Sequence, residues 1–183
     1  MGWPAQLLFY QPELETIIRT SVESKENITI HESTVLESFS SEKDKVFIKC
    51  KKESTSLEFE AKYLIGCDGA SSSVRKILKV ERDDLGYDQD WLVADAHLTK
   101  TTDIPRHHAK QICNPSRPAT YVPGRRGHRR FEFKLMPGET KEELEKDEKV
   151  WELLSPWVNP ENAELERADV YQFHAALAKD CLL

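Results

Sequence analysis

Cysteine is scarce and scattered. Cys50, Cys67, Cys113 and Cys181 form no CxxC pair, which argues against a zinc site and against a secreted disulfide framework, and leaves buried free thiols as the expectation. Long apolar runs are missing as well: nothing approaches the ~20 consecutive apolar residues of a membrane-spanning helix. The opening MGWPAQLLFYQPE has neither the basic start nor the small-residue cleavage site of a signal peptide. The cytosol is therefore the expected compartment, with no membrane partner. A basic excess is lacking too. The net charge of -6 provides no field that gathers nucleic acid, and RRGHRR at Arg125 to Arg130 is a local exception. Nucleic-acid readers set such a patch in a basic domain or beside stacking aromatics, so a hairpin turn facing a phosphate or solvent is the preferred reading. Internal repeats and low-complexity tracts are absent, which excludes a solenoid and a flexible tail.

What remains is a chain of 183 residues, enough for one good core or two small ones. Apolar residues at 39% and charged residues at 32%, with a mean hydropathy of -0.60, describe a folded chain with a polar surface. Pro12 suits the first turn of a helix, and Leu14, Ile17, Ile18 and Val22 recur at helical spacing, predicting a helix over Pro12 to Glu23. Short β-rich runs follow at Ile28 to His31, Thr34 to Phe39, Lys45 to Cys50 and Leu57 to Lys62, the last two joined by the polar loop KKESTS as a hairpin. Tyr63 to Cys67 reads as a buried strand leading into a tight turn and a helix carrying Val74, Ile77 and Leu78. The acidic stretch from Glu81 to Asp90 reads as a loop and a domain boundary.

Beyond it the pattern changes to alternating strands. Leu92, Ala94, Ala96 and Leu98 share one face, and Phe131, Phe133 and Leu135 stand opposite Arg130, Glu132 and Lys134. Shorter strands are expected at Ala109 to Cys113 and Ala119 to Val122, with a last one over Ala168 to Ala175, together forming one mixed or antiparallel sheet. Thr140 and Glu143 make a capping box that opens one charged helix carrying Leu144, Val150, Trp151 and Leu154 and stopping before Pro156.

The stretch with most chemical content is YLIGCDGASSSVR, Tyr63 to Arg75. A strand ending in small residues lets a backbone or phosphate approach closely, with room at Gly66 and Gly69. The helix behind Ser71 to Ser73 would aim unpaired N–H groups at an anion there, Arg75 adding positive charge and Asp68 accepting ribose or amide hydrogen bonds. The plainer reading of the same residues is a strand-to-helix turn with Asp68 as the cap. Along Arg130 to Phe133, alternation alone makes Phe133 core and Arg130 with Glu132 a solvated, salt-bridged face. His107 and His108 read as a surface loop with no metal-ligand spacing, and His174 as a packed strand residue.

This stretch resembles the Asp-Gly motif of the flavin-dependent aromatic hydroxylases. Two further segments agree: GWPAQLLFYQPELETII, Gly2 to Ile18, is similar to the family segment whose glutamine touches the flavin, here Gln11. RRFEFKLMPGET, Arg129 to Thr140, is similar to the Arg-Arg-Phe-Glu-Phe strand and Met-Pro-Gly-Glu turn of the hydroxyphenylpropionate branch. The resemblance implies an α+β fold: part of an FAD/NAD(P)-binding α/β domain over residues 1–85, and the mixed or antiparallel sheet of a substrate-binding domain over 86–183. It implies cofactor contacts at Gln11, Asp68, Gly69 and Arg75, and substrate contacts at Tyr121, Arg130, Glu132 and Phe133, where only inward-facing residues can serve. FAD and NAD(P)H are the implied cofactors and a phenol or phenolic acid the implied substrate, hydroxylated with O2.

Two family features are missing. The glycines nowhere form GxGxxG, and the chain stops at CLL, Cys181 to Leu183, before any Gly-Asp segment of the kind that contacts the flavin. The expectation is therefore a central fragment, inactive by itself and prone to self-association through open sheet edges. The rival is a ligand-binding or assembly module that kept the sheet and lost the chemistry.

Overall fold

The computed structural model describes residues 2 and 7–180. Among them the elements run α1 (Gln11–Glu23), β1 (Thr34–Glu42), β2 (Lys45–Lys52), β3 (Thr55–Ala61), α2 (Ser73–Ile77), β4 (Arg82–Leu98), β5 (Lys110–Ile112), β6 (Ala119–Pro123), β7 (His128–Lys134), α3 (Lys141–Leu144), α4 (Asp147–Leu154) and β8 (Ala163–Ala178). The chain divides into two compact units: residues up to Arg19 with Gly86–Ala175, and Thr20–Leu85 with Ala176 onward.

In the second of these units β1, β2 and β3 form an antiparallel meander, with Val46, Ile48 and Cys50 turned to its half-buried face. Two expected strands do not form. Ile28 to His31 and Tyr63 to Cys67 are irregular, because neither joins a sheet whose ladder would occupy its N–H and C=O groups. Tyr63 and Ile65 are correspondingly 83% and 81% exposed. The thiols are not buried either. Cys67 lies in that unpaired segment and is exposed, as is Cys113 just past the short edge strand β5, while Cys50 is half-buried. Cys181 lies outside the described residues.

The other unit is built on a sheet of order β5-β6-β7-β4-β8. β5 pairs with β6, β6 with β7 and β7 with β4, each antiparallel. The acidic stretch expected to be a loop is the first half of β4. Its polar residues suit a strand exposed on both faces, which composition alone does not separate from a loop. One face of the sheet carries Leu92, Ala94, Ala96, Ala119, Tyr121, Phe131 and Phe133, all at most 2% exposed, and Leu144, Val150, Leu154 and Val158 cover it. At about 25 cal/mol per Å2 each of the larger side chains gains some 1.5–3 kcal/mol from this burial.

The capping box of Thr140 and Glu143 is formed as expected, but the helix it opens is broken. α3 ends at Glu145, and Lys146 takes an extended ψ of 133° before α4 begins. An unbroken helix turning about 100° per residue would set Leu144 over Trp151 and away from Val150 and Leu154. The break lets all three aliphatic side chains reach the core, and Glu145 at the joint accepts the Val170 N–H at 2.8 Å.

Candidate functional site

The opposite face of the five-stranded sheet is polar and centres on Asp95, only 3% exposed. Register sets Asp95 of β4 beside Arg130 of β7, and His97 beside His128. Arg130 grips the carboxylate with two hydrogen bonds, Nε to Oδ1 at 2.8 Å and Nη2 to Oδ2 at 3.0 Å. Arg167 of β8 adds Nε to Oδ2 at 2.8 Å, and His128 Nε2 lies 3.1 Å from Oδ1. Burial alone would push this carboxyl up, but the hydrogen bonds from His128, Arg130 and Arg167 outweigh it and hold Asp95 well below the usual carboxylate range.

Over this hub opens a cleft of about 390 Å3, lined by Phe9, Tyr10 and Gln11 together with Val122, Pro123 and Gly124. The Tyr10 ring lies 4.7 Å from His128 and edge-on to His97 at 6.2 Å. Its hydroxyl donates to Glu166 Oε1 at 3.2 Å, and the other Glu166 oxygen lies 3.4 Å from His97 Nε2. Burial and then the Glu166 carboxylate push the Tyr10 phenol up, so the hydroxyl keeps its proton near neutrality. The wall is held by ion pairs from Glu13 of α1 to Arg126 at 3.0 Å and Arg125 at 3.5 Å in the β6–β7 turn.

The candidates of the sequence divide between the two faces. Arg130 lies in the cleft and Gln11 at its rim, where Nε2 donates to Glu15 Oε1 at 2.6 Å. Glu132 shares the face of Arg130 without lining the cleft, and burial raises its carboxyl against the pull of Arg130. Tyr121 and Phe133 are not in the cleft. Strand alternation turns them to the covered face, where Tyr121 packs against Phe131 and donates its hydroxyl to the Pro105 carbonyl. Nor is Arg130 part of a solvated pair with Glu132, since its partner is the buried Asp95. RRGHRR is likewise no free basic patch: its two exposed arginines meet Glu13, while His128 and Arg129 are buried.

Sequence reasoning missed Tyr10, Asp95, His128, Glu166 and Arg167. The one available signal was Asp95 itself, a lone acid inside LVADAHL, because a carboxylate in an apolar strand requires cationic partners. His174, expected to be packed, is exposed and paired with Asp88. Among the described residues no group of three or more His, Cys, Asp or Glu side chains could hold a metal ion.

The Asp-Gly turn belongs to the other unit. Asp68 Oδ2 accepts from the N–H groups of Ser73 at 2.6 Å and Val74 at 3.1 Å, Oδ1 accepts the Ser72 hydroxyl at 2.5 Å, and Ser72 Oγ accepts from Arg75 N at 3.0 Å. The N–H groups expected to await an anion are thus already occupied, the anion being Asp68's own carboxylate. The Ser72 hydrogen bond, with those of the α2 N–H groups, lowers its pKa. Gly69 makes the turn at φ +76°, and a Cβ on Gly66 would stand 2.9 Å from Val74 Cβ. Arg75 folds back to the Ala70 carbonyl at 2.9 Å.

Comparison with known proteins bears on this site. A family model described as "FAD binding domain" matches residues 1–178. A probable NADH-specific resorcinol 4-hydroxylase of Rhodococcus jostii (strain RHA1) is 34% identical over 180 residues, covering 96% of this chain and 33% of its own length. A 3-(3-hydroxy-phenyl)propionate/3-hydroxycinnamic acid hydroxylase of Escherichia coli (strain K12) is 35% identical over 182 residues, 97% of this chain and 32% of its own. The chain thus spans about a third of the length of these curated relatives. Among solved structures, p-nitrophenol 4-monooxygenase PnpA from Pseudomonas putida DLL-E4 superposes with a TM-score of 0.81 at 17% identity, over 93% of this chain and 44% of that one. Aklavinone-11 hydroxylase, solved with FAD and aklavinone, gives 0.68 at 21% identity, over 80% and 29%.

Proposed function

This chain belongs to the FAD binding domain family, and on that premise we propose that it is part of a flavin-dependent monooxygenase that hydroxylates a phenol or phenolic acid with NAD(P)H and O2. Residues 86–183 are the substrate-binding part and residues 1–85 part of the FAD-binding one. The observation that carries the reading is the cleft over Asp95, where the aromatic wall of Phe9 and Tyr10, with the Tyr10 hydroxyl bonded to Glu166, meets a guanidinium held rigid by a buried carboxylate. Phe9 and Tyr10 supply stacking surface for a ring. Arg130 presents its remaining N–H donors to a phenolic oxygen, and the Tyr10 oxygen, whose proton goes to Glu166, is placed to accept a phenolic O–H; the Asp95 clamp fixes Arg130 before anything binds, so little is lost on ordering it. Tyr121 and Phe133 support the strands from behind.

The turn at Asp68 fits a flavin modestly. Of the roughly four lone-pair positions of a carboxylate, three are taken by Ser72, Ser73 and Val74 and the Asp68 N–H bears on the carboxylate too, so a ribose or amide donor beside the bare backbone of Gly69 shares a position with that N–H. Gln11 offers an amide at the cleft rim. FAD, when bound, supplies the electron transfer and the activation of oxygen; the chain's own residues bind, orient and shield the ring. Self-association belongs to the same reading, because Leu14, Ile17 and Ile18 on α1 are 37%, 65% and 53% exposed.

The test is the visible spectrum of the purified chain after incubation with FAD and removal of free cofactor. A retained flavin band, followed by phenol-dependent NAD(P)H oxidation, is the expected result. A colourless protein defeats the reading that this chain holds the cofactor.

A further inference from the structure

A second concavity of the same unit is lined by Thr99, Lys100, Thr101, Arg106, His107, Arg126 and Arg129, with Leu98 and the glycines 124 and 127, and by no acidic residue. It shares only Gly124 with the cleft over Asp95. Arg129 is 5% exposed; its Nη1 donates to the carbonyls of His128 at 2.6 Å and Gly124 at 3.1 Å, and the Tyr121 phenol oxygen is a further neutral partner of the guanidinium. Its Nε is buried without a partner, one of two such side-chain atoms among the described residues; the other is Thr102 Oγ1, next in sequence to the lining Thr101. Arg126 is paired with Glu13. Among the described residues no carboxylate lies within 4.0 Å of Lys100, Arg106 or Arg129, so the cavity carries three uncompensated cations.

A guanidinium withdrawn from water is costly unless an anion answers it, and two carbonyl dipoles and a neutral phenol are not an anion. Arg129 stands on β7 next to Arg130, but alternation turns it to the other face, away from Asp95, which neutralises its neighbour. The loop that brings Arg106 and His107 is fixed from below by the Tyr121 hydroxyl on the Pro105 carbonyl. The arrangement is a guanidinium fork with an exposed ammonium and hydroxyls beside it, the donor set that recognises a tetrahedral oxyanion.

We propose that this cavity, built on the buried, carboxylate-free Arg129 with Lys100 and Arg106, is a binding site for a phosphate group. Phosphate satisfies the orphaned Nε and returns two negative charges to a cavity that lacks them.

Calorimetric titration of the chain with inorganic phosphate, at constant ionic strength set by chloride, tests this. One saturable site is expected, weakened at least about tenfold in Lys100→Ala/Arg106→Ala, the loss that follows removal of a charge-assisted hydrogen bond. Both residues are exposed, so that variant reads binding without the folding risk of Arg129→Gln, which is expected to abolish binding if it folds. The proposal is overturned if phosphate gives no saturable heat beyond chloride, or if the double variant binds like the parent. Competition assigns the source of the phosphate. Displacement by NADPH but not NADH points to a 2′-phosphate, equal displacement by both to a pyrophosphate, and displacement by neither to a free phosphate; each upholds the site.

Discussion

Asp95 joins three side chains, His128, Arg130 and Arg167, to one pair of oxygens, and its removal measures what that is worth. In Asp95→Asn the guanidiniums of Arg130 and Arg167 lose their counter-charge, but 34% and 44% of their side-chain surface is in water. The expected loss is therefore about 3 kcal/mol, the low end for breaking a buried ion pair, measured by urea denaturation at pH 7. Because the folded carboxyl lies below its ordinary value, its contribution is complete above the ordinary carboxylate range and disappears as pH falls through the folded value. The difference between parent and variant therefore shrinks in acid, below about pH 4. A constant difference down to pH 2 would contradict this account. At this scale the sequence was only partly legible. Arg130 and Gln11 could be named from their segments, whereas Tyr10, His128, Glu166 and Arg167 come together only through the register of β4 with β7 and the approach of β8, which no local pattern encodes.

Elements were more legible than their joints. The period-2 faces of β4 and β7 and the capping box of α3 follow from spacing alone, because side-chain alternation and N–H satisfaction are local. The break between α3 and α4 and the strand identity of residues 82–90 depend on what lies across from them. One joint is open to direct test. Arg117, in the turn between β5 and β6, grips Glu139 in the turn after β7 at 2.6 Å and reaches the Lys134 carbonyl at 2.9 Å, while Glu139 also accepts the Met136 N–H at 2.8 Å. These bonds, Arg117's foremost, pull the Glu139 carboxyl from 4.5 down to about 2. The contribution is present above pH 4.5 and is lost between pH 4.5 and about 2. Glu139→Gln is expected to lower the melting temperature at pH 7 and to leave it unchanged near pH 2; an equal deficit at both would mean that the side chain acts through packing instead of charge.

For the molecule as a whole, the exposed stripe of α1, Leu14, Ile17 and Ile18, is what a test of behaviour in solution addresses. Concentration-dependent association is expected by light scattering, and Ile17→Lys with Ile18→Lys is expected to abolish it while leaving the circular dichroism unchanged; a parent that scatters as a monomer at all concentrations refutes it. Among the described residues no helix is long and apolar enough to cross a membrane. The broad α+β architecture was readable because two periodicities alternate along the chain, but the assignment of each face was not, since that depends on which side the helices cover. β7 carries the largest consequence of this two-sidedness. Its consecutive arginines serve different masters, Arg129 a basic hollow and Arg130 a buried carboxylate, with Phe131 and Phe133 in the core between. Sliding the strand by one residue against β4 and β6 would exchange every one of these assignments at once. β7 is therefore open to change residue by residue but closed to a change of length between its two paired neighbours, and its spacing in the sheet is a reading frame in space.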